Sequence, residues 1–169
     1  KLERMSIAPD AIEIFISNGS FSPRHQTLLV AALDDLEGVG GRETFLRVAG
    51  MGASEEVALY RQRQAQMYAG FHKRVEPVAA FFALGGLVGA RTQSGKIILN
   101  APLDYLAWTS GIASALTAAN VQIREVTGDS KASQLWLTGS ASKLASKNLA
   151  KLGWELRSDS EFLITGAQN

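Results

Sequence analysis

The chain contains no cysteine, and that absence removes disulfides, thiolate nucleophiles and every cysteine-based metal site at once. It has only two histidines, His25 and His72, so acid–base chemistry near neutral pH rests on few groups. A zinc site would need carboxylates such as Asp104 or Glu76 to complete it, and no HExxH or comparable spacing occurs. The sequence therefore names no metal site and no cofactor. Charge of one sign is also missing: seventeen Lys and Arg face sixteen Asp and Glu, for a formal charge of +1. Nucleic acid is not an expected partner, because phosphate backbones are bound mainly by clustered positive charge.

Long apolar runs are scarce as well. The fourteen uncharged residues between Glu76 and Arg91 are too few to span a bilayer as a helix. The longer uncharged run between Asp104 and Arg124 is interrupted by Thr109, Ser110, Ser114, Thr117, Asn120 and Gln122. No transmembrane span is expected.

What is present is an ordinary globular composition, 46% hydrophobic and 20% charged over 169 residues. A chain of that size buries roughly 70% of its unfolded surface without a metal or disulfide staple. No long linker, low-complexity tract or charge block interrupts it, so residues 1–169 read as one globular domain. Because Lys1-Leu2-Glu3-Arg4 precedes Met5, that domain could be a fragment of a longer chain.

Alternating, β-branched Ile12-Glu13-Ile14-Phe15-Ile16 predicts a first strand, turned by Asn18-Gly19. Ser22-Pro23 predicts a helix N-terminus, with Leu28, Leu29, Ala32, Leu33 and Leu36 at helical spacing behind it. A short helical piece is expected around Thr44 to Val48. Ser54, followed by Glu55 and Glu56, predicts the start of a long helix that Pro77 stops, with Arg61, Arg63, Lys73 and Arg74 on a solvated face. Val78 to Leu84 predicts a strand, and Leu87 to Arg91 with Lys96 to Leu99 a β-hairpin. A helix from about Leu103 to Ala119, a strand from Val121 to Val126, a strand from Gln134 to Leu137, a helix capped near Ser140 and a strand at Phe162 to Ile164 complete the reading. The fold class that follows is mixed α/β, either α+β or a three-layer α/β sandwich, in which about four main helices cover a mixed sheet with a central hairpin. Matching Gly-Ser turns within residues 19–28 and 139–149 leave open a faint internal duplication.

Several motifs invite chemistry and fail on detail. Gly89 to Lys96 spaces its glycines one residue too far apart for a phosphate-binding loop and leads into a strand instead of a helix. Gly50-Met51-Gly52 opens like a dinucleotide fingerprint, but Glu55 stands where the third glycine belongs. Ser140-Ala141-Ser142-Lys143 has the Ser-x-x-Lys spacing of penicillin-binding enzymes, without the asparagine and lysine of their later motifs; helix capping is the plainer account. Tyr68, His72 and Glu76, one turn apart on the long helix, form the best acid–base candidate. Asp104, Tyr105 and Trp108 form the best ligand or interface candidate, although helical spacing places both aromatics in the core.

The leading functional expectation is a non-catalytic domain that binds another protein or self-associates, with a cell-envelope or periplasmic setting favoured over the cytoplasm. One alternative is a small-ligand-binding protein or hydrolase using Tyr68, His72 and Glu76. Another is a membrane-active domain that deploys residues 78–90.

Overall fold

The computed structural model describes residues 1–127 and 133–167. A 3-10 turn at Leu2–Met5 leads into α1 (Pro9–Ser17), α2 (Pro23–Asp34), α3 (Arg42–Gly50) and α4 (Glu55–Arg74). The antiparallel strands β1 (Val78–Leu84), β2 (Leu87–Thr92) and β3 (Ile97–Ala101) follow. The remainder runs β4 (Tyr105–Leu106), α5 (Ser110–Thr127), β5 (Ser133–Leu137), β6 (Ser140–Ala141), α6 (Lys143–Lys151), β7 (Trp154–Arg157) and α7 (Phe162–Thr165).

The fold is mixed α/β. Its main sheet has the order β1-β2-β3-β5-β7, and β4 pairs with β6 in a second, two-stranded sheet. The main sheet changes character at β3. On one side, the two-residue turn Gly85-Gly86, with Gly85 at φ +61, can join only antiparallel neighbours. On the other side α5 and α6 are the crossovers that let β3, β5 and β7 run parallel.

Strand alternation sends side chains to two separate cores. Val78, Phe81, Val88, Ala90 and Ile98 pack with α1 to α4 and Leu163 of α7. Leu84, Ile97, Leu99, Ala101, Leu135, Leu137 and Trp154 pack with α5 and α6. A register shift between Val78 and Ala80 explains how Val78 and Phe81, three apart, share a side. The edge of β1 is protected: the Gly40 N–H donates to the Ala79 carbonyl at 2.9 Å, and the Phe81 N–H donates to the Gly40 carbonyl at 2.8 Å. Gly41 must be glycine here, because its φ is +71 and a Cβ would lie 2.3 Å from the Phe81 oxygen.

Capping residues set several helix boundaries, at Ser22 and Ser54 as expected and at Ser142 two residues beyond Ser140. The side chains of Ser22, Ser54 and Ser142 accept from the backbone N–H groups of His25, Val57 and Ala145, each worth about 1 kcal/mol.

Five expected elements differ in the structure. Residues 12–16 are helical within α1, which buries Ala11 and Phe15 one turn apart and leaves Ile14 and Ile16 46% and 58% exposed. Pro9 at its N-terminus and the tertiary contact of that face outweigh the β-propensity of the isoleucines. The helix expected from Leu103 begins only at Ser110, where the Thr109 hydroxyl accepts from the Ile112 N–H at 3.2 Å. It then continues through the expected strand at 121–126, because Leu116, Ala119 and Ile123 form one continuous buried stripe. Phe162 to Ile164 lie in α7, and Ser140 lies in β6, so the last main helix is capped by Ser142. The segments at 19–28 and 139–149 are therefore unlike: the first follows a helix, whereas the second follows a strand and contains another.

Candidate functional site

Tyr68, His72 and Glu76 each reach a different part of the sheet, and no hydrogen bond joins any two of them. Tyr68 is wholly buried; its hydroxyl donates to the Val88 carbonyl at 2.8 Å and accepts from the Asn100 N–H at 3.1 Å. Burial pushes its pKa up, which suits a permanent hydrogen-bonding group more than a proton carrier. His72 accepts the Val78 N–H at Nδ1 (3.1 Å), so that nitrogen is unprotonated and anchors the start of β1. Its ring also lines a cleft of about 540 Å³ between α2, α4 and α7, together with Asp35, Gln66, Lys73 and Arg74. Glu76 accepts from the Ser94 N–H and from Lys96 Nζ (2.9 Å). Burial acts to raise its pKa, but hydrogen bonds from Ser94, Lys96 and Thr92 prevail and lower it from 4.5 to about 2. All three side chains tie α4 and its C-terminal extension to the sheet.

Asp104, Tyr105 and Trp108 stand at the C-terminal end of β3, the side on which parallel α/β sheets bind their ligands. They are in a loop and β4, so the helical spacing that placed Tyr105 in the core does not apply. Tyr105 is 60% exposed, Asp104 is exposed, and Trp108 packs half-buried against the α5–α6 side. The loop is held by backbone bonds: Gly139 N–H to Leu103 O (2.9 Å), Ser140 N–H to Asp104 O (3.0 Å) and Ser142 N–H to Leu106 O (3.0 Å). A side chain at Gly139 would put Cβ 1.9 Å from the Asp104 oxygen, so the approach of the two loops requires glycine.

Beneath this rim lies a polar seam that the sequence reading did not single out. β2 and β3 are paired only at Ala90 with Ile98 and at Arg91 with Ile97; beyond Ile98 their backbones separate, and polar side chains of α4 meet the freed groups. Tyr68 bridges Val88 and Asn100, Gln64 Nε2 donates to the Asn100 carbonyl (2.8 Å), and Arg61 Nη2 donates to the Gly86 carbonyl (2.6 Å). Arg61 Nη1 also donates to Gln64 Oε1 at 2.8 Å. Arg61, assigned to a solvated face by its charged neighbours, is 8% exposed and Gln64 is fully buried. The sequence signal was the spacing of Arg61, Gln64 and Tyr68 at i, i+3 and i+7, which puts three polar groups on one inward stripe.

The seam is only partly satisfied. Arg61 Nε, both amide atoms of Asn100 and the Thr138 hydroxyl are buried without a hydrogen-bond partner. Asn100 lies on the α4 side of β3, opposite Leu99 and Ala101, and Thr138 directly follows the last residue of the adjacent β5. Among the described residues, none of the carboxylates that form ion pairs pairs with Arg61, and burial pulls its pKa down. Removing an unpaired guanidinium from water costs several kcal/mol, which the fold bears at this position. Among the described residues no three His, Asp or Glu side chains converge as a metal site would require. Comparison with models of known protein families, with curated proteins and with solved structures gives no match for this chain.

Proposed function

We propose that this chain is a non-catalytic binding domain that presents the Asp104–Tyr105 rim to a partner protein. The observation that carries the reading is Tyr105: a large amphipathic ring, 60% exposed, on a loop that three backbone hydrogen bonds fix in place. The fold gains little from a ring that it leaves in water, whereas an interface gains a rigid anchor at small entropic cost. Asp104 beside it adds a negative charge, so the partner surface that fits is a shallow apolar depression flanked by a cation or hydrogen-bond donor. Tyr68, His72 and Glu76, by contrast, are engaged with backbone and loop groups, which weakens the hydrolytic alternative.

A photo-cross-linking residue in place of Tyr105 tests this in the source cells, with the same residue in place of Leu144, 57% exposed on α6, as control. A cross-linked protein specific to position 105, bound at least ~10-fold more weakly by Tyr105→Ala at unchanged thermal stability, is the expected result for an anchor of this kind. Equal labelling at both positions, or wild-type affinity of Tyr105→Ala for the captured protein, would overturn the reading.

A further inference from the structure

The cleft between α2, α4 and α7, about 540 Å³ in volume, is lined by charges of both signs: Asp35 at the C-cap of α2, and Lys73 and Arg74 at the end of α4. Among the described residues none of these three belongs to an ion pair. The two cations meet on one face of α4. Arg74 does not run off the helix end but turns back along it, where its Nη1 donates to the Leu163 carbonyl at 3.3 Å. A Cβ on Gly70 would stand 2.8 Å from Nη1, and a Cβ on Gly166 2.8 Å from Nη2, so the guanidinium lies between two glycines. Lys73 is three residues after Gly70 and shares its face of the helix. The helix dipole favours cations in a last turn, but it does not account for a guanidinium folded away from the terminus and fastened to a second helix.

The chemistry of a matching ligand follows from the three unpaired charges in this one cleft. Two neighbouring cations, one of them a positioned guanidinium, are complemented best by a phosphate monoester, which carries a charge of about −2 at neutral pH. Asp35 would repel such a group unless the ligand also brought a positive charge to it. A phosphate with an ammonium group neutralises all three side chains, and Ala31, Ala69 and Ile164 in the same lining give its carbon body an apolar bed. We propose that this cleft binds a phosphate monoester of an amino alcohol, with the phosphate on Lys73 and Arg74 and the ammonium on Asp35.

The test is a calorimetric titration of the full chain with phosphoethanolamine, ethyl phosphate, ethanolamine and glycerophosphoethanolamine. Saturable binding of phosphoethanolamine is expected, with each of the others at least about tenfold weaker, because each lacks one charge of the set and such a contact is worth about 1.5–3 kcal/mol. Lys73→Gln and Arg74→Gln are each expected to weaken phosphoethanolamine about tenfold, and Asp35→Asn to erase its advantage over ethyl phosphate. Lys147→Gln, which removes an exposed cation from α6 outside the cleft, is expected to change nothing. Absence of phosphoethanolamine binding, equal binding of ethyl phosphate, or an equal loss in Lys147→Gln would overturn the proposal. Equal binding of glycerophosphoethanolamine, the diester of lipid headgroups, would overturn the assignment to a monoester. If Arg74→Gln loosens α7 and lowers thermal stability, Lys73→Gln and Asp35→Asn decide: wild-type behaviour in both refutes. Tyr105 does not line this cleft, so this site and the protein-binding rim stand or fall separately.

Discussion

Replacing Tyr68 with phenylalanine deletes one oxygen atom and tests whether α4 polar groups hold the sheet open. The ring stays, with its edge-to-face contacts to Phe45 and Phe81 at centroid distances of 6.2 and 5.0 Å, so no large cavity forms. What is lost is the partner of two buried backbone groups, the Val88 carbonyl and the Asn100 N–H. Each buried polar group left unsatisfied costs about 1–3 kcal/mol, and with some relaxation the sum is about 2–4 kcal/mol. For a chain of this size each kcal/mol lowers Tm by roughly 2–4 °C, so a fall of roughly 5–15 °C is expected. Urea denaturation followed by circular dichroism should show a lower midpoint with an unchanged slope, and hydrogen exchange should show the Asn100 amide newly exposed to exchange. The native pKa of Tyr68 is raised by burial, so its stabilising effect is complete below the ordinary tyrosine pKa near 10 and declines as pH rises beyond it; the gap between wild type and variant should narrow in that range. A loss under about 0.5 kcal/mol with the slope unchanged would refute the bridging role.

Glu76→Gln should cost about 1 kcal/mol at neutral pH, because its ion pair with Lys96 is partly screened. The native pKa is depressed to about 2, so the contribution is present above the unfolded value near 4.5 and disappears as pH falls toward 2; stability curves of wild type and variant should converge over that interval. Gly70→Ala would bring Cβ to 1.7 Å from the Leu163 oxygen, forcing α7 off α4 at about 2–3 kcal/mol, and limited proteolysis should find new cleavage near Leu163. Ser142→Ala should lose about 1 kcal/mol with the α6 cap, and fluorescent β-lactams should label neither protein if the Ser-x-x-Lys spacing is only a cap. Residues 78–90 form β1, its turn and most of β2, so the intact protein should release no dye from loaded liposomes; leakage would revive the membrane-active reading.

Much of the molecule was legible in local chemistry. Ser22-Pro23 and Ser54 with its two glutamates start α2 and α4, and these starts are readable because the groups they satisfy lie within one turn of themselves. The hairpin expected from Leu87 to Leu99 pairs β2 with β3, and the apolar run Val78 to Leu84 is the strand expected there. Mixed α/β architecture followed from the order of these signals alone.

Where local signals conflicted with packing, only the tertiary structure decided. Ile12 to Ile16 has a strand composition, but the pair Ala11 and Phe15 is buried by neighbours far away in sequence, and that burial makes the segment a helix. Tyr105 and Trp108 have helical spacing, yet the backbone bonds from Gly139, Ser140 and Ser142 hold the segment as a loop and a short strand, and Tyr105 goes to water. Arg61 looks like any other arginine on a charged helix; it is buried because β2 and β3 separate after Ile98 and leave carbonyls that must be met. Caps and turns are fixed by atoms a few residues apart and can be read along the chain, whereas burial depends on what arrives from elsewhere, and the rim and the seam are both made by such arrivals.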